Sequence, residues 1–561
     1  MQKKNKILSY VNGASDKPLL FKTVWEILKE AADSHPEKAA LISHHQNRTL
    51  SYKELLKEAG KVANGLLNAG LRKGDRIGIW APNCIEWVLL QFASAKIGAI
   101  LVTINPAYRK NELRYALNKV QCKILVMASS FKTSDYVSMI KEIAPGTVNE
   151  TGINLDLKEL PHLKSIFIIN KDTNTNINSF EYLVNSKQTS SISDIELDPD
   201  EDINIQFTSG TTGSPKGATL THFNIVNNGF FVGEAMRFSH QDILCVPVPL
   251  YHCFGMVMGI LTCVSHKSTI VLPDYSFDAS TCLEAIDKYK CTAIHGVPTM
   301  FVAMLENPAF SHYSFNSLRT GIMAGAPCPI EVMKKVQSNM HVPEITIAYG
   351  MTETSPVSFQ SATDDPLERR VSTVGKVQPH IQVKIIDENG KVGVRGTKGE
   401  LCTRGYSVMK GYWDDYDKTN EVLTESGWMK TGDLAIIDDS GYGNIVGRVK
   451  DMIIRGGENI YPREIEEFLY THDSIQDVSV FGLPDTELGE IVAAWIKLKQ
   501  NKNLKEEDVK NFCKNEIAHF KIPARIKFVE EFPMTVSGKI KKFEMRDAMI
   551  EELGLETAAT A

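Results

Sequence analysis

Apolar residues recur along the first 130 positions with two different periods. Between positions 55 and 67 they follow helical spacing, and Ser51 and Glu54 just before them form a capping-box pattern. This helix is expected to stop near Gly70. Short apolar runs of strand length alternate with helical segments at 77–80, 99–102 and 123–126. Strands that alternate with helices predict βαβ units and a mainly parallel sheet, so the predicted fold class is α/β.

The same alternation continues after residue 200. Asp278 is expected to cap a helix between two of the later strands, because aspartate at that position accepts a hydrogen bond from the first helical turn. The strands predicted in this part are 203–207, 243–246, 268–272 and 291–295.

The pattern changes towards the C-terminus. From 374 to 446, short strands with frequent glycine turns indicate a smaller β-rich subdomain. Residues 450–561 mix strands and helices and predict an α+β domain. We therefore expect a large N-terminal domain, 1–449, of mixed and parallel sheets with helices, which includes the β-rich subdomain, and a C-terminal domain at 450–561.

Composition narrows the class of protein. With 561 residues, 43% hydrophobic and 23% charged, the chain is too long for a single core. The formal net charge of -6 gives no reason to expect nucleic acid or an anionic membrane as a partner. The ten cysteines show neither Cys-x-x-Cys pairs nor zinc-ligand spacing. They favour free thiols in a reducing compartment over disulfides or a structural metal.

Two stretches bear on membranes and export. The most apolar region, 87–104, is interrupted by Gln91, Ser94 and Lys96, so it predicts a buried helix and a strand and no stable membrane insertion. Positions 1–16 contain lysines but no apolar core long enough for a secretory signal. An intracellular protein is therefore expected.

A segment rich in glycine and hydroxyl residues follows the strand predicted at 203–207 and ends in a lysine. Glycines let backbone N–H groups approach an anion, hydroxyls add donors, and lysine adds positive charge, so the segment is typical of a phosphate cradle. A helix-like stretch is expected to leave it through His222. The residues of this phosphate loop are Thr208, Ser209, Gly210, Thr211, Thr212, Gly213, Ser214, Pro215 and Lys216.

Two alternatives to this interpretation are weaker. A flexible linker has the same composition, but a linker needs neither an apolar strand before it nor a Pro-Lys pair at its end. The P-loop of nucleoside triphosphatases is excluded, because Pro215 stands where that pattern requires a glycine before the lysine.

Further stretches that contain charged, hydroxyl or aromatic side chains follow the phosphate loop. Taken singly, each has an ordinary explanation: Asp433 could make a turn, Arg448 could form a surface ion pair, and 537–539 could be a solvated loop. The stretches are Tyr349-Gly350-Met351-Thr352-Glu353-Thr354, Trp428-Met429-Lys430-Thr431-Gly432-Asp433, Gly447-Arg448-Val449-Lys450-Asp451, Arg455-Gly456-Gly457-Glu458-Asn459-Ile460-Tyr461-Pro462 and Thr535-Val536-Ser537-Gly538-Lys539.

In this order, the motifs resemble those of the adenylate-forming superfamily, which comprises acyl-CoA synthetases, firefly luciferases and peptide-synthetase adenylation domains. The resemblance runs from roughly Leu50 to the end of the chain. Within this superfamily, the segments 9–13, 224–228 and 453–459 look most like the medium-chain acyl-CoA synthetases called acyl-CoA synthetase family member 2. The joint occurrence of the motifs favours an enzyme over the ordinary explanations.

The resemblance implies a carboxylic acid to CoA ligase that uses ATP and Mg2+. The acid displaces pyrophosphate from ATP to form an acyl-adenylate, and the thiol of coenzyme A then displaces AMP. The first step gathers negative charge at the α-phosphate and the departing pyrophosphate, so catalysis should consist mainly of positioning and charge stabilisation. Lys539 would be the catalytic lysine. A mobile C-terminal domain would bring it in and then rotate about a hinge at Lys450.

The resemblance also assigns roles to single residues. The phosphate loop would hold the β- and γ-phosphates of ATP. Each remaining role suits its residue type, since a carboxylate accepts from a vicinal diol and an aromatic ring stacks on a base. In this assignment Thr352 contacts the α-phosphate, Glu353 binds Mg2+, Tyr349 faces adenine, Asp433 binds the ribose hydroxyls, Arg448 reaches ribose or phosphate, and Gly456, Gly457 and Glu458 serve the CoA step.

The acyl pocket follows from the same resemblance. His252, in Tyr251-His252-Cys253-Phe254, would border the carboxylate and gate substrate entry, although a buried aromatic cluster is the usual explanation for such a histidine. Gly325 and Ala326 belong to a turn at the border of this pocket and count among the cofactor-binding residues. No charged residue is evident among the expected lining residues Met256, Val257, Gly296 and Val297. An alkyl or aryl acid therefore fits better than an amino acid, whose buried ammonium would need a partner.

Several alternatives stay open at this point. The preferred substrate is a medium-chain fatty acid, and an aryl acid of the 4-coumarate type is the alternative. A luciferase-like oxygenase is compatible with the motifs, and a non-catalytic nucleotide or acyl-adenylate sensor is the non-enzyme alternative. A peptide-synthetase module would be expected to continue into a carrier domain. The expected partners are a small carboxylic acid, ATP and CoA, with an oligomer possible, and the expected compartment is the cytoplasm, with the mitochondrial matrix as the alternative.

Overall fold

The computed structural model describes residues 7–145, 153–169, 177–187, 195–208, 215–326, 328–456, 458–514, 516–534 and 540–555. The chain forms two compact units, each taken by itself below. The large unit consists of Asn12–Gln382 and Thr403–Met429, and the small unit of Met1–Val11, Val383–Cys402 and Lys430–Ala561. The domain bounds 1–449 and 450–561 and the hinge at Lys450 stay predictions.

Helices occur throughout the described residues. Besides the α-helices there are a π-helix at Phe254–Leu261 and short 3-10 turns at Phe310–His312, Thr352–Thr354 and His519–Lys521. The α-helices are α1 (Val24–Ser34), α2 (Tyr52–Asn68), α3 (Ile85–Lys96), α4 (Lys110–Lys119), α5 (Tyr136–Ile143), α6 (Glu181–Val184), α7 (His222–Ala235), α8 (Thr262–His266), α9 (Ala279–Tyr289), α10 (Pro298–Leu305), α11 (Ile330–Asn339), α12 (Leu367–Ser372), α13 (Tyr416–Val422), α14 (Pro462–Leu469), α15 (Glu506–Cys513) and α16 (Lys542–Leu553).

Strands alternate with these helices. They are β1 (Tyr10–Asn12), β2 (Ala39–Ser43), β3 (Arg48–Ser51), β4 (Arg76–Trp80), β5 (Ile100–Thr103), β6 (Ile124–Ala128), β7 (Ser130–Phe131), β8 (Ser134–Asp135), β9 (Ser165–Ile169), β10 (Asp202–Thr208), β11 (Lys216–Thr221), β12 (Ile243–Cys245), β13 (Thr269–Leu272), β14 (Ala293–Gly296), β15 (Thr320–Ala324), β16 (Glu344–Gly350), β17 (Val357–Gln360), β18 (Lys376–Val377), β19 (Ile381–Ile386), β20 (Gly399–Gly405), β21 (Gly411–Tyr412), β22 (Met429–Ile437), β23 (Gly443–Arg448), β24 (Ile453–Arg455), β25 (Glu458–Ile460), β26 (Ile475–Asp485), β27 (Gly489–Leu498) and β28 (Arg525–Phe528).

Two extended sheets form the large unit in the described part of the chain. The first has the order β21-β11-β10-β5-β4-β6-β9, and the second β18-β17-β16-β15-β14-β12-β13-β2-β3. The inner pairs of both sheets are parallel, among them β4 with β5 and β14 with β15. Antiparallel strands lie towards the ends of the sheets, such as β11 beside β10 and β17 beside β16. The mixed α/β fold with a mainly parallel core is confirmed.

The small unit is built on antiparallel pairing. Strands β1, β19, β20, β22 and β23 form one sheet in that order, drawn mainly from this unit. A second sheet runs β25-β24-β27-β26, and β28 pairs with β27 in parallel. Helices α14 and α15 cover its apolar face through Ile465, Leu469 and Val509, which are buried. Strands β18 to β22 lie within 374–446 and β23 begins there, where short strands are predicted, and the bounds of a β-rich subdomain there stay a prediction.

Local signals explain where several elements begin. Ser51 and Glu54 form the capping box of α2, with Glu54 N donating to Ser51 Oγ at 3.2 Å and Ser51 N to the Glu54 carboxylate at 2.8 Å. Asp278 caps α9, accepting from Thr281 N at 2.9 Å. Helix α3 is buried along nearly its whole length and leads to β5, as the sequence predicts for 87–104. No helix among the described residues combines the length and apolar character needed to cross a bilayer.

All ten cysteines are free thiols, and nine of them are buried. This agrees with the prediction of free thiols. Burial raises the pKa of several of these thiols, including Cys122 to about 12. Such thiols stay protonated and pack as small apolar side chains.

One arginine joins four neighbouring strands of the second sheet at their N-terminal ends. Arg319 precedes β15, and its guanidinium binds both carboxylate oxygens of Asp242, with Nε to Oδ1 at 3.0 Å and Nη2 to Oδ2 at 2.9 Å. It also reaches Glu344 at the start of β16, with Nη1 to Oε2 at 2.8 Å. Thr292, before β14, donates to Asp242 at 2.7 Å. The opposite ends of β14, β15 and β16 carry predicted site residues, so this network ties together strands that contribute to the site.

Replacing Arg319 by methionine is expected to lower the free energy of unfolding by about 3 kcal/mol, because it leaves the Asp242 carboxylate buried without its guanidinium. Burial by itself raises the pKa of Asp242, but the hydrogen bonds from Arg319, Thr292 and Ser239 outweigh it and lower the pKa. A lowered folded pKa contributes stability above the unfolded pKa and loses it as pH falls. The difference in the free energy of unfolding between wild type and the variant should therefore have its maximum value at pH 7 and decrease below about pH 4.

Urea unfolding at pH 7 and pH 3.5 measures this difference. The matched control is Arg237→Met, since the Arg237 to Asp364 ion pair is largely exposed and is expected to change stability by no more than about 0.5 kcal/mol. Equal destabilisation by the two substitutions would contradict a special role for Arg319.

Candidate functional site

The phosphate loop connects two antiparallel strands. β10 enters it and β11 leaves it, with Thr208 directly opposite Lys216 in the register. The predicted helix through His222 is present as α7, but the intervening strand β11 was not predicted from the sequence. Lys216 thus lies at the start of a strand and not in a loop before a helix. Residues Ser209, Gly210, Thr211, Thr212, Gly213 and Ser214 lie outside the described residues.

The far end of this loop is held by α4. The Tyr115 hydroxyl donates to the Pro215 carbonyl at 3.2 Å. From the same helix, Lys119 Nζ donates to the Asp414 carbonyl at 2.7 Å. The strand that follows Pro215 and the segment around Asp414 are therefore anchored to one rigid element.

Three predicted site stretches share one edge of the second sheet. Parallel strands β15 and β16 pair Ala324 with Ala348, so Gly325 and Ala326 leave the carboxyl end of β15 beside Tyr349 at the end of β16. The carboxyl edge of parallel strands is where open α/β sheets bind ligands. Gly325 has a φ of +88°, a conformation that disfavours residues with a Cβ. The Tyr349 ring packs edge-on against Phe359, with centroids 6.1 Å apart.

Glu353 lies in the 3-10 turn just after β16, beside Thr352. Its side chain is largely buried, with 6% of the residue exposed. The Tyr412 hydroxyl donates to its Oε1 at 2.8 Å, and Met409 N donates to its backbone carbonyl at 2.9 Å. Lys216 Nζ lies 4.8 Å from the centroid of the same Tyr412 ring. The structure therefore brings two predicted residues, Lys216 and Glu353, to opposite parts of one tyrosine.

His252 lies just before the buried π-helix. Asn83 holds the preceding segment with both ends of its amide: Nδ2 donates to the Val248 carbonyl at 3.0 Å, and Leu250 N donates to Oδ1 at 2.8 Å. Backbone N–H groups of Gly255 and Met256 donate to the His252 carbonyl, each at 3.0 Å. These bonds fix the histidine at the entrance to the π-helix.

The π-helix packs against the strand that leads into the phosphate loop. Gln206 of β10 accepts from Cys253 Sγ at 3.1 Å, and its Nε2 lies 3.7 Å from Met256 Sδ. His295 of β14 also contacts the π-helix, with Nε2 3.1 Å from the Met258 carbonyl. All eight residues of the π-helix are buried and none is charged. π-helical turns are rare and are enriched at functional sites.

The small unit carries a second group of predicted residues. Asp433 of β22 and Arg448 of β23 face each other in the antiparallel register, and Arg448 Nε donates to Asp433 Oδ1 at 3.0 Å. The Asp433 side chain is 7% exposed and that of Arg448 52%. Thr431 Oγ1 accepts from Asp433 N at 3.1 Å. The arginine thereby orients a carboxylate that is able to accept hydrogen bonds.

The remaining predicted residues divide between described and undescribed positions. Gly456 lies in the turn between β24 and β25, with φ of +57°, and its N donates to the Leu488 carbonyl at 2.8 Å. Glu458 begins β25 and is exposed. Gly457 and Lys539 lie outside the described residues. Across the described ranges, no group of three or more His, Cys, Asp and Glu side chains could hold a metal ion.

Comparison with known proteins identifies the family. The family description "AMP-binding enzyme" matches residues 28–413, and its "AMP-binding enzyme C-terminal domain" matches residues 464–539. The chain belongs to the AMP-binding enzyme family. The resemblance to adenylate-forming enzymes stated from the motifs is confirmed.

Full-length relatives support the same assignment. This AMP-binding enzyme is 44% identical to YngI of Bacillus subtilis (strain 168) over 546 residues, covering 96% of this chain and 99% of the relative. It is 43% identical to the medium-chain acyl-CoA ligase ACSF2, mitochondrial, of Bos taurus and 42% to that of Homo sapiens. Both of these matches extend over 558 residues and cover 98% of this chain and 91% of the relative.

Solved structures share the fold. The anthranilate CoA ligase AuaEII in complex with anthranoyl-AMP matches with a TM-score of 0.84 at 25% identity, covering 96% of this chain and 99% of that one. ATP-bound MatB from Rhodopseudomonas palustris matches with a TM-score of 0.81 at 26% identity, covering 94% and 99%. The fold of this AMP-binding enzyme is thus one in which acyl-adenylate and ATP complexes have been solved.

Sequence reasoning missed three residues of the site in this AMP-binding enzyme. Tyr412 contacts Lys216 and Glu353, Gln206 joins β10 to the π-helix, and Asn83 holds the segment before His252. The alternating run 203–207 places Gln206 inside a buried strand, and a buried amide requires hydrogen-bond partners. This pattern is the signal by which Gln206 could have been found. Nothing near Tyr412 or Asn83 in the sequence indicates their distant partners.

Proposed function

We propose that this protein is an ATP-dependent carboxylic acid to CoA ligase that acts on medium-chain fatty acids and releases AMP and pyrophosphate. The observation that carries the proposal is the arrangement of Lys216, Tyr412 and Glu353. It provides a cation for phosphate beside a buried carboxylate suited to a hard metal ion. The identity of 42–43% with the medium-chain acyl-CoA ligases over almost the whole chain supports the substrate class.

Mg2+ fits this donor set. Magnesium in nucleotide sites is bound by one or two carboxylates together with substrate phosphates, so a larger cluster of protein ligands is not required. Glu353 supplies a hard oxygen donor that the Tyr412 hydroxyl orients. When bound, the ion would offset negative charge on the phosphates of ATP. We assign no protein ligand other than Glu353.

In the first half-reaction, a carboxylate oxygen of the acid forms a bond to the α-phosphorus, and the bond to pyrophosphate breaks. Lys216 and the phosphate loop from Thr208 would hold the β- and γ-phosphates, and Thr352 the α-phosphate. Lys539 would offset the charge that gathers as the two anions approach. These groups position the two reactants and offset their negative charge, and no proton transfer is needed in this step.

The nucleoside would be held by residue types that match its parts. Tyr349 offers an aromatic face to adenine, beside the turn of Gly325 and Ala326. Asp433, oriented by Arg448, would accept from the two ribose hydroxyls. His252 would border the acid carboxylate. In the second half-reaction, the CoA thiolate attacks the acyl carbon and AMP leaves, and Gly456, Gly457 and Glu458 would serve that step after rotation about Lys450.

The acyl preference rests on the π-helix. Its residues are buried and uncharged, and Gly255 and Gly259 let it pack closely against Pro249 and Val246. An unbranched alkyl chain gains about 0.8 kcal/mol per buried methylene in such surroundings. A charged or zwitterionic acid would lose its hydration without a partner.

Replacing Asp433 by asparagine is expected to raise the KM for ATP about tenfold, because a hydrogen bond to a charged acceptor becomes one to a neutral amide. Steady-state AMP formation at varied ATP measures the effect. Asp439→Asn is the matched control, since Asp439 lies exposed in the turn between β22 and β23. A KM for ATP equal to that of the control would contradict the assigned role.

The proposed function is tested by CoA ligation with straight-chain acids from C4 to C16, benzoate and 4-coumarate as substrates. We expect AMP and pyrophosphate as products and the highest kcat/KM between C6 and C12. ADP in place of AMP, or no acid-dependent turnover, would refute the ligase. A preference for benzoate or 4-coumarate would support the aryl-acid alternative, and nucleotide binding without turnover would support the sensor.

The compartment is a separate proposal. The vertebrate relatives are named mitochondrial, which supports the mitochondrial matrix. The cytoplasm is the other candidate. Fractionation of the source cells, with antibody detection of the protein, would distinguish the two.

A further inference from the structure

Tyr412 lies on a short strand beside β11. β21 pairs with β11 in antiparallel register, with Tyr412 opposite Ala218. The pairing continues on both sides, since Trp413 N donates to the Gly217 carbonyl at 2.7 Å and Lys410 N to the Thr219 carbonyl at 3.0 Å. The tyrosine is therefore held by its backbone against the strand that begins at the phosphate loop.

This register explains the contact with Lys216. Residues 216 and 218 share one face of β11, because side chains alternate along a strand. A residue opposite Ala218 is a diagonal neighbour of Lys216, within reach of an aromatic ring. The Lys216 ammonium accordingly lies 4.8 Å from the Tyr412 ring centroid, a cation–π distance.

The hydroxyl end of Tyr412 faces the carboxylate. It donates to Glu353 Oε1 at 2.8 Å. A phenol hydroxyl can donate and an ionised carboxylate can only accept, so this hydrogen bond runs from Tyr412 to Glu353.

The support around Tyr412 is rigid. Tyr412 N donates to Thr419 Oγ1 at 2.9 Å, which ties β21 to α13. Asp415 caps α13, accepting from Lys418 N at 3.1 Å. Met409 N binds the Glu353 backbone carbonyl, so the segment before β21 holds the turn that carries the carboxylate. Tyr412 thus lies between α13 and the turn that carries Glu353, and hydrogen bonds join its segment to both.

We propose that Tyr412 is a positioning residue for adenylation, a role that rests on the proposed function. Its ring faces the Lys216 ammonium and its hydroxyl orients the Glu353 carboxylate. The opposite charges are held at two ends of one neutral side chain, where both remain directed at the phosphates and the metal ion. Preorganised charges of this kind need not rearrange when the substrate binds.

Two substitutions separate the two contacts. Tyr412→Phe removes the hydroxyl and keeps the ring, so we expect about a tenfold rise in the Mg2+ concentration that gives half-maximal ATP–pyrophosphate exchange, with the KM for the acid within about twofold. Tyr412→Leu removes the ring as well, so the dissociation constant of MgATP should also rise about tenfold. Tyr416→Phe is the matched control, because Tyr416 is 83% exposed. It should leave all three values unchanged.

Calorimetric titration with ATP at several Mg2+ concentrations tests the inference without turnover. In a Glu353→Gln background, Tyr412→Phe should add less than about twofold to the Mg2+ concentration that gives half-maximal ATP binding, because the hydroxyl acts through that carboxylate. Additive effects of the two substitutions would overturn the proposal. So would a lower melting temperature of both Tyr412 variants combined with an unchanged Mg2+ dependence. If the wild type forms no AMP with any acid, the proposed function fails, while the calorimetric comparison still decides the role of Tyr412.

Discussion

Replacement of Glu353 by glutamine is expected to lower the rate of acyl-adenylate formation about 10^3-fold, while the protein stays folded. Glutamine has the same shape and its amide oxygen still accepts from the Tyr412 hydroxyl, which lies 2.8 Å from the carboxylate. The substitution removes only the negative charge. Glu353 is 6% exposed, so little water is available to replace the lost charge at the metal ion. ATP–pyrophosphate exchange with saturating acid measures the loss.

The control for this variant is Glu331→Gln on α11. The Glu331 side chain is 76% exposed and pairs with Lys334 three residues away. It should retain wild-type exchange. A Glu353→Gln enzyme with more than a tenth of the wild-type rate would contradict the assignment of Glu353 to the metal ion.

Replacement of Lys539 by alanine is expected to separate the two half-reactions. Adenylation should fall about 10^3-fold, because the lysine offsets the charge of the acid and the α-phosphate as they meet. Conversion of a supplied acyl-adenylate and CoA to the thioester should stay within about threefold of wild type, since that step would use the rotated C-terminal domain. Rapid-quench measurement of AMP and of acyl-CoA distinguishes the two rates.

The control here is Lys541→Ala, two positions further along the same segment. Lys541 forms a partly exposed ion pair with Glu544 at 2.7 Å, and its loss should affect neither half-reaction. Loss of both half-reactions to the same extent in the Lys539 variant would contradict the rotation about Lys450. That rotation would also be excluded if a crosslink preventing it left the complete reaction unchanged.

Much of the fold follows from local patterns. The capping box of Ser51 and Glu54, the N-cap at Asp278 and the apolar runs of β4, β5 and β6 are all present where the sequence predicts them. These features depend on hydrogen bonds and side-chain spacing within a few residues. A local pattern is therefore sufficient to reveal them.

Two of the elements that were not predicted lie at the site, and each was missed for a physical reason. β11 begins Lys216-Gly217 and contains three hydroxyl or charged residues, so it lacks the apolar run typical of a buried strand. Its strand conformation is stabilised by pairing with β10 on one side and β21 on the other. The π-helix at Phe254–Leu261 is apolar at every position, so no period could be read from it.

The sequence by its own patterns established the order of the motifs, the residue types within them and many of the local helices and strands that carry them. Which of these groups come into contact depends on the three-dimensional fold. The Asp433 to Arg448 pair depends on the register of one hairpin, and the contacts of Tyr412 with Lys216 and Glu353 join parts of the chain that are far apart in sequence. Such contacts come from strand pairing and burial across the whole unit, and no local pattern of side chains encodes them.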